Sequence, residues 1–130
     1  MSTPIHHEVS FRATPDQVYR ALMDSSEHAA FTGAPADVSP DEGGACSWYG
    51  GAVTGRNIEL VPGERIVQVW RAKPWAAGVY SVIKFELRAD GDGTKVVLDH
   101  TGHPDGSGEH LSSGWHERYW KPLEAYFAKA

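Results

Sequence analysis

A chain of 130 residues and 14.2 kDa is long enough to bury one hydrophobic core and too short for two, so a single domain over residues 1–130 is expected. With 41% hydrophobic and 22% charged residues it falls in the globular range, which excludes extensive disorder. A formal net charge of -5 and a pI near 5.7 argue against nucleic acid or an anionic membrane surface as partner, because both demand clustered Lys and Arg.

The opening residues, Met-Ser-Thr-Pro-Ile-His-His, have neither a basic leader nor an apolar stretch, and no window approaches the run of about 18 apolar residues that a membrane span needs. A cytoplasmic location is the expectation. Residues 5 to 12 alternate around Ile5, His7, Val9 and Phe11, which suits a first strand with one buried face. Thr14-Pro15-Asp16-Gln17 then announces a helix. Thr14 is placed to cap, Pro15 fits the first helical position, Asp16 complements the dipole, and Gln17 can close a capping box. Val18, Leu22 and Tyr19 mark the buried stripe. A second short helix begins at Ser25 or Ser26 and stops at Gly33.

Gly43-Gly44 leads into a strand at Ala45–Tyr49, and Gly50-Gly51 turns it into another from about residue 52 to 60. Pro62-Gly63 folds that strand back onto Arg65–Arg71. Placing Leu60 opposite Ile66 puts Ile58 opposite Gln68 and Arg56 opposite Trp70, all on one face, and sends Asn57, Glu59 and Arg71 to the other. In the last hairpin, turned at Asp90-Gly-Asp-Gly93, Ala89 opposite Thr94 pairs Leu87 with Val96, Phe85 with Leu98 and Ile83 with His100. Lys84, Glu86, Arg88, Lys95 and Asp99 then point outward. After a Gly/Pro/Asp/Ser loop, Leu111, Trp115, Tyr119, Leu123 and Tyr126 recur at helical spacing, widened by Trp120 and Phe127, and predict a helix from about residue 108 to 127. Pro122 lies inside it and should bend it, having no N–H for the Arg118 carbonyl.

An antiparallel sheet around one long helix is an α+β arrangement that tends to enclose a cavity. The registers above line that cavity with Trp48, Arg56, Ile58, Gln68, Trp70, Ile83, Phe85, Leu98, His100, Trp115 and Tyr119. His100 is the one imidazole on the apolar face. It is read as a ligand anchor, a general base or a hydrogen-bonded core histidine, with the structural role preferred. Arg56 and Tyr80 are candidate polar contacts, Arg56 for a carboxylate or phenolate unless it snorkels to water. His100, His103, His110 and His116 are poorly spaced for a metal, so no metal site is expected, and no pattern calls for a cofactor. Lone Cys46 excludes an intrachain disulfide and reads as a packing residue.

Gly43-Gly-Ala-Cys-Ser-Trp-Tyr-Gly50, Gly55, Glu59-Leu-Val-Pro62, Ile66-Val67, Trp70-Arg71, Trp75, Gly78, Tyr80, Thr94, Gly102 and Gly114-Trp115 with Tyr119 and Phe127 resemble the C-terminal domain of the activator of Hsp90 ATPase. That family belongs to the START-like, helix-grip superfamily, which also holds the Bet v 1 and polyketide cyclase groups. The resemblance covers nearly the whole chain. It implies the helix-grip fold and a hydrophobic ligand cavity in a stand-alone member without the extra N-terminal domain of eukaryotic activators. The family favours Phe where Cys46 stands, which implies a reshaped cavity mouth. Three functions stay open: non-catalytic binding of a lipid-, polyketide- or flavonoid-like molecule, partnership with an Hsp90-type chaperone, and an enzyme of the cyclase or hydrolase kind. Fold alone does not choose among them.

Overall fold

The computed structural model describes residues 3–129. Its elements are β1 (Ile5–Phe11), α1 (Pro15–Met23), α2 (Ser25–Thr32), β2 (Asp37–Val38), β3 (Ala45–Trp48), β4 (Val53–Val61), β5 (Arg65–Ala72), β6 (Ser81–Asp90) and β7 (Gly93–Thr101). A long helix, α3, closes the chain. It runs as α-helix over Gly108–Trp115, widens to a π turn at His116–Trp120, and returns to α-helix over Lys121–Ala128.

Seven strands form one antiparallel sheet in the order β1-β7-β6-β5-β4-β3-β2. Most neighbours in space are neighbours in sequence, and β1 completes the far edge against β7. The core lies between one face of this sheet and the helices, the expected helix-grip arrangement, with Val18, Ile66, Ile83, Val96, Leu98 and Leu123 wholly buried.

Local chemistry sets the first elements. Thr14 Oγ1 accepts the Gln17 amide at 3.2 Å while the Gln17 side chain accepts the Thr14 amide at 2.8 Å, closing the capping box. Asp24 caps α2 by accepting from the Glu27 amide, and Gly33 ends that helix with φ 75°, a left-handed stop that a Cβ disfavours. The short edge strand β2 was not legible in the sequence.

The β6–β7 register is the expected one at every pair from Ile83↔His100 to Ala89↔Thr94. The β4–β5 register begins as expected at Leu60↔Ile66 and then departs from it. A bulge at Ile58 makes Asn57 the partner of Gln68 and Gly55 the partner of Trp70. Side-chain parity therefore flips beyond the bulge: Asn57 is fully buried, Ile58 is 50% exposed, and Arg56 faces solvent. The physical cause is hydrogen bonding. Asn57 Nδ2 donates to the carbonyls of Ser39 and Asp41 at 2.7 and 3.0 Å, tying down the β2–β3 loop, and its Oδ1 accepts from Gln68 Nε2 at 3.0 Å. An inward isoleucine would leave those carbonyls without their donor.

Gly55 is fixed by space. A Cβ there would lie 1.9 Å from the Val69 carbonyl oxygen and 3.3 Å from the Trp48 ring.

Pro122 finds a different solution from a simple bend. The π turn precedes it, with the Lys121 amide donating to the His116 carbonyl, and the Arg118 carbonyl that Pro122 cannot serve accepts the Tyr49 hydroxyl at 3.0 Å. A residue from the β3–β4 corner thus completes the backbone bonding of α3.

Candidate functional site

Between the sheet and α3 the space is filled by aromatic rings. Trp70 stacks on Trp115 with centroids 5.1 Å apart, Trp115 stacks on Trp120 at 5.5 Å, and Trp48 packs on Trp70 at 5.0 Å. Phe85 meets Trp115 edge-on at 5.6 Å and Tyr119 tilts against it at 4.6 Å.

The indole N–H groups fix these rings in place. Trp70 Nε1 donates to Gln68 Oε1 at 3.0 Å, so the bond network that starts at the β2–β3 loop ends on Trp70. Trp115 Nε1 donates to His100 Nδ1 at 3.1 Å, and Trp120 Nε1 donates to His7 Nδ1 at 2.9 Å. Each histidine passes its other nitrogen to a serine at 2.8 Å, His100 to Ser81 Oγ and His7 to Ser112 Oγ. Two Trp–His–Ser rungs therefore lock α3 to β7 and β1.

His100 is 1% exposed, and burial pushes its pKa down to about 3, with His103 adding to the effect. Because Nδ1 accepts from Trp115, Nε2 carries the proton and donates to Ser81, whose hydroxyl donates on to the Trp70 carbonyl at 3.3 Å. The imidazole is neutral, with both nitrogens hydrogen-bonded.

What remains open is a cleft of about 530 Å³ at one end of this stack. Its floor is Trp70, Trp115, Tyr119 and the edge of His100. Tyr49, Ala52 and Val53 form one wall, Leu111, Gly114, Glu117 and Arg118 of α3 a second that meets it where Arg118 touches Tyr49, and Pro74 and Trp75 the third. The loop carrying Trp75 is held by one side chain: the Arg71 guanidinium donates to the carbonyls of Trp75, Ala76 and Val79. A second depression, of about 610 Å³, lies beside the start of β1 and is lined by polar residues such as His103, Glu109 and Ser112.

Of the cavity residues expected from sequence, Trp70, His100, Trp115 and Tyr119 line the cleft. Trp48, Gln68, Ile83, Phe85 and Leu98 lie beneath it as buried core. Arg56 and Ile58 are corrected by the bulge. Arg56 donates to the Gly43 carbonyl at 3.2 Å on the outer side of the sheet, and Ile58 is exposed. Tyr80 is also exposed, and Cys46 is buried against Asn57 instead of standing at the mouth. His110 joins the cleft wall while His116 packs on His7 at 4.5 Å. Among the described residues no three His, Cys, Asp or Glu side chains converge as a metal site would require.

Sequence reasoning missed Tyr49, Trp75, Leu111 and Arg118 as cleft residues, and it missed His28. The His28 ring is 1% exposed, shares a hydrogen bond of 3.0 Å with the Tyr119 hydroxyl, and has its pKa pushed down to about 4 by burial. Its spacing of three from Phe31 on α2 was the available signal. Burial also pushes Tyr119 well up and Tyr49 up to about 12, so both phenols stay protonated near neutrality.

The family profile "Activator of Hsp90 ATPase homolog 1-like protein" matches residues 12–128. The chain belongs to this family. Within it, an activator of 90 kDa heat shock protein ATPase homolog from Dictyostelium discoideum is 35% identical over 106 residues, covering 81% of this chain and 28% of that protein. The Homo sapiens homolog 1 is 30% identical over 118 residues, covering 91% of this chain and 35% of that protein. The chain thus spans about a third of the length of these curated relatives. Among solved structures, an HSP90 activator from Plasmodium falciparum superposes with a TM-score of 0.92 at 21% identity, covering 98% of this chain and 97% of that one. CalU16 from Micromonospora echinospora superposes with a TM-score of 0.82 at 20% identity, covering 96% and 76%. These two likenesses establish the helix-grip fold for this member of the activator family. No helix among its described residues is long and apolar enough to cross a membrane.

Proposed function

We propose that this chain binds a hydrophobic, ring-bearing small molecule in the cleft beside α3, without transforming it. The observation that carries the reading is the lining: about 530 Å³ of space faced by Trp70, Trp75, Trp115, Tyr49, Tyr119 and Leu111, a size and character suited to a planar apolar guest. Binding rather than turnover is favoured because both nitrogens of the candidate base His100 are already engaged, one by the Trp115 indole and the other by the Ser81 hydroxyl.

Gly114 provides the test. It lines the cleft on α3, and a Cβ built there meets nothing within 4 Å, so a larger side chain projects into the open space. Gly114→Leu is expected to weaken binding of the neutral fluorophore N-phenylnaphthylamine at least about tenfold. Replacing a helical glycine should also stabilise the fold by about 0.5 to 1 kcal/mol. Fluorescence titration and thermal unfolding read the two effects separately. Unchanged binding in a folded Gly114→Leu protein would place the guest elsewhere.

A second reading, association with an Hsp90-type chaperone, is favoured by the 35% and 30% identity to proteins named as activators of the heat shock protein ATPase. It predicts that the purified chain alters the ATPase rate of purified Hsp90. An unchanged rate at large molar excess would remove it.

A further inference from the structure

The same cleft holds a cation whose setting says what kind of guest it selects. Tyr49 has φ 53°, a left-handed backbone that a non-glycine residue rarely adopts, and it is the one such residue among those described. That conformation carries the ring into the cleft wall. There its hydroxyl is anchored on the Arg118 carbonyl, the acceptor orphaned by Pro122, and its ring lies 6.4 Å from the Tyr119 centroid. The Arg118 guanidinium carbon lies over the Tyr49 ring, 5.6 Å from its centroid. Two unrelated features, a strained backbone and a proline inside a helix, thus converge on presenting one guanidinium at the rim of an aromatic cleft.

Its charge is uncommitted. Glu117, the neighbouring carboxylate in the lining, is held by Lys121 Nζ at 2.8 Å, whereas Arg118 has no carboxylate within ion-pair distance among the described residues. Of the two basic groups expected from sequence to face a guest, His100 is neutral and engaged, and Arg56 lies on the outer side of the sheet. A guanidinium lying over a ring keeps its edge N–H groups free, in the geometry that grips a carboxylate or sulfonate with two bonds.

We infer that the cleft selects planar aromatic molecules bearing one anionic group, and that Arg118 sets this preference. The inference rests on the small-molecule reading above and adds the chemical class of the guest and the residue that reads it. Tyr49, Trp75 and Leu111, with the exposed edges of Trp70 and Trp115, receive the ring system, and Arg118 at the rim receives the anion.

N-phenylnaphthylamine and anilinonaphthalene sulfonate share one ring system and differ by the sulfonate, so their affinities separate the two layers of the argument. Wild type is expected to bind the sulfonate about tenfold more tightly than the neutral compound at low ionic strength. Arg118→Gln should abolish that preference while leaving the neutral affinity within about twofold, and Arg118→Lys should keep part of it. Arg56→Gln, on the outer face, should behave as wild type. Equal affinities in wild type, or a preference that survives Arg118→Gln or is lost equally in Arg56→Gln, would overturn the role of Arg118 while neutral binding upheld the cleft. Failure of both compounds to bind would overturn the cleft reading and this inference together.

Discussion

Trp115→Ala should lower the stability of this protein by about 4 to 5 kcal/mol, a large part of the roughly 5 to 15 kcal/mol that a domain of this kind has. The side chain is 3% exposed, stacks on two other tryptophans, and donates the bond that His100 Nδ1 accepts. Truncation therefore opens a void between sheet and helix and leaves a buried acceptor without its donor. A melting temperature lower by about 15 °C is the expected reading. Trp115→Phe keeps most of the ring contact and loses only the indole donor, so its cost should be nearer about 1 to 3 kcal/mol. If both variants melt within a few degrees of wild type, the helix does not close the core through this residue.

Acid should unfold the protein earlier than its carboxylates alone would. His28 and His100 are both buried neutral, with pKa values pushed down to about 4 and about 3 from the ordinary 6.5. The unfolded chain binds two protons that the folded chain refuses. Stability is full above about pH 6.5 and falls as pH drops toward the folded values. Each proton contributes a slope of at most about 1.4 kcal/mol per pH unit, so the pair, partly titrated at either end of the window, gives roughly 2 to 2.5 kcal/mol per unit between about pH 6 and 4.5. Urea unfolding across that window should show the steep fall in wild type. His28→Gln and His100→Gln, though less stable at neutral pH, should each show about half the slope. Parallel pH profiles for wild type and both variants would mean that these imidazoles are hydrated and charged in the folded state.

The regions that read correctly from sequence are those in which one local rule decided the structure. The β6–β7 hairpin alternates without interruption from Ile83 to Ala89, so period two alone sets its register. The start of α1 carries its own capping chemistry in Thr14 and Gln17. The β4 strand failed at Ile58 because a bulge resets the alternation, and the reason for the bulge is remote: Asn57 is needed inward by two carbonyls of the β2–β3 loop. Arg56 was lost as a cleft residue by that single slip.

The cleft was partly legible for a related reason. Trp70, Trp115 and Tyr119 follow from strand and helix periodicity, and they form its floor. Part of its walls comes from irregular backbone. Tyr49 sits at a left-handed corner and Trp75 on a loop pinned by Arg71, and neither position follows from any period. Arg118 shows its use only once the Tyr49 ring and the Pro122 vacancy are seen together.

The most direct test of an aromatic cleft beside α3 is a nitrogen-15 correlation spectrum of the whole chain, recorded while N-phenylnaphthylamine is added. Saturable shifts confined to the amides of Ala52, Val53, Ala72, Leu111 and Gly114 and to the indoles of Trp70, Trp75 and Trp115 are the result predicted. Shifts on the outer sheet face at Ile58, Val69 and Val82 with the cleft signals unmoved would contradict it.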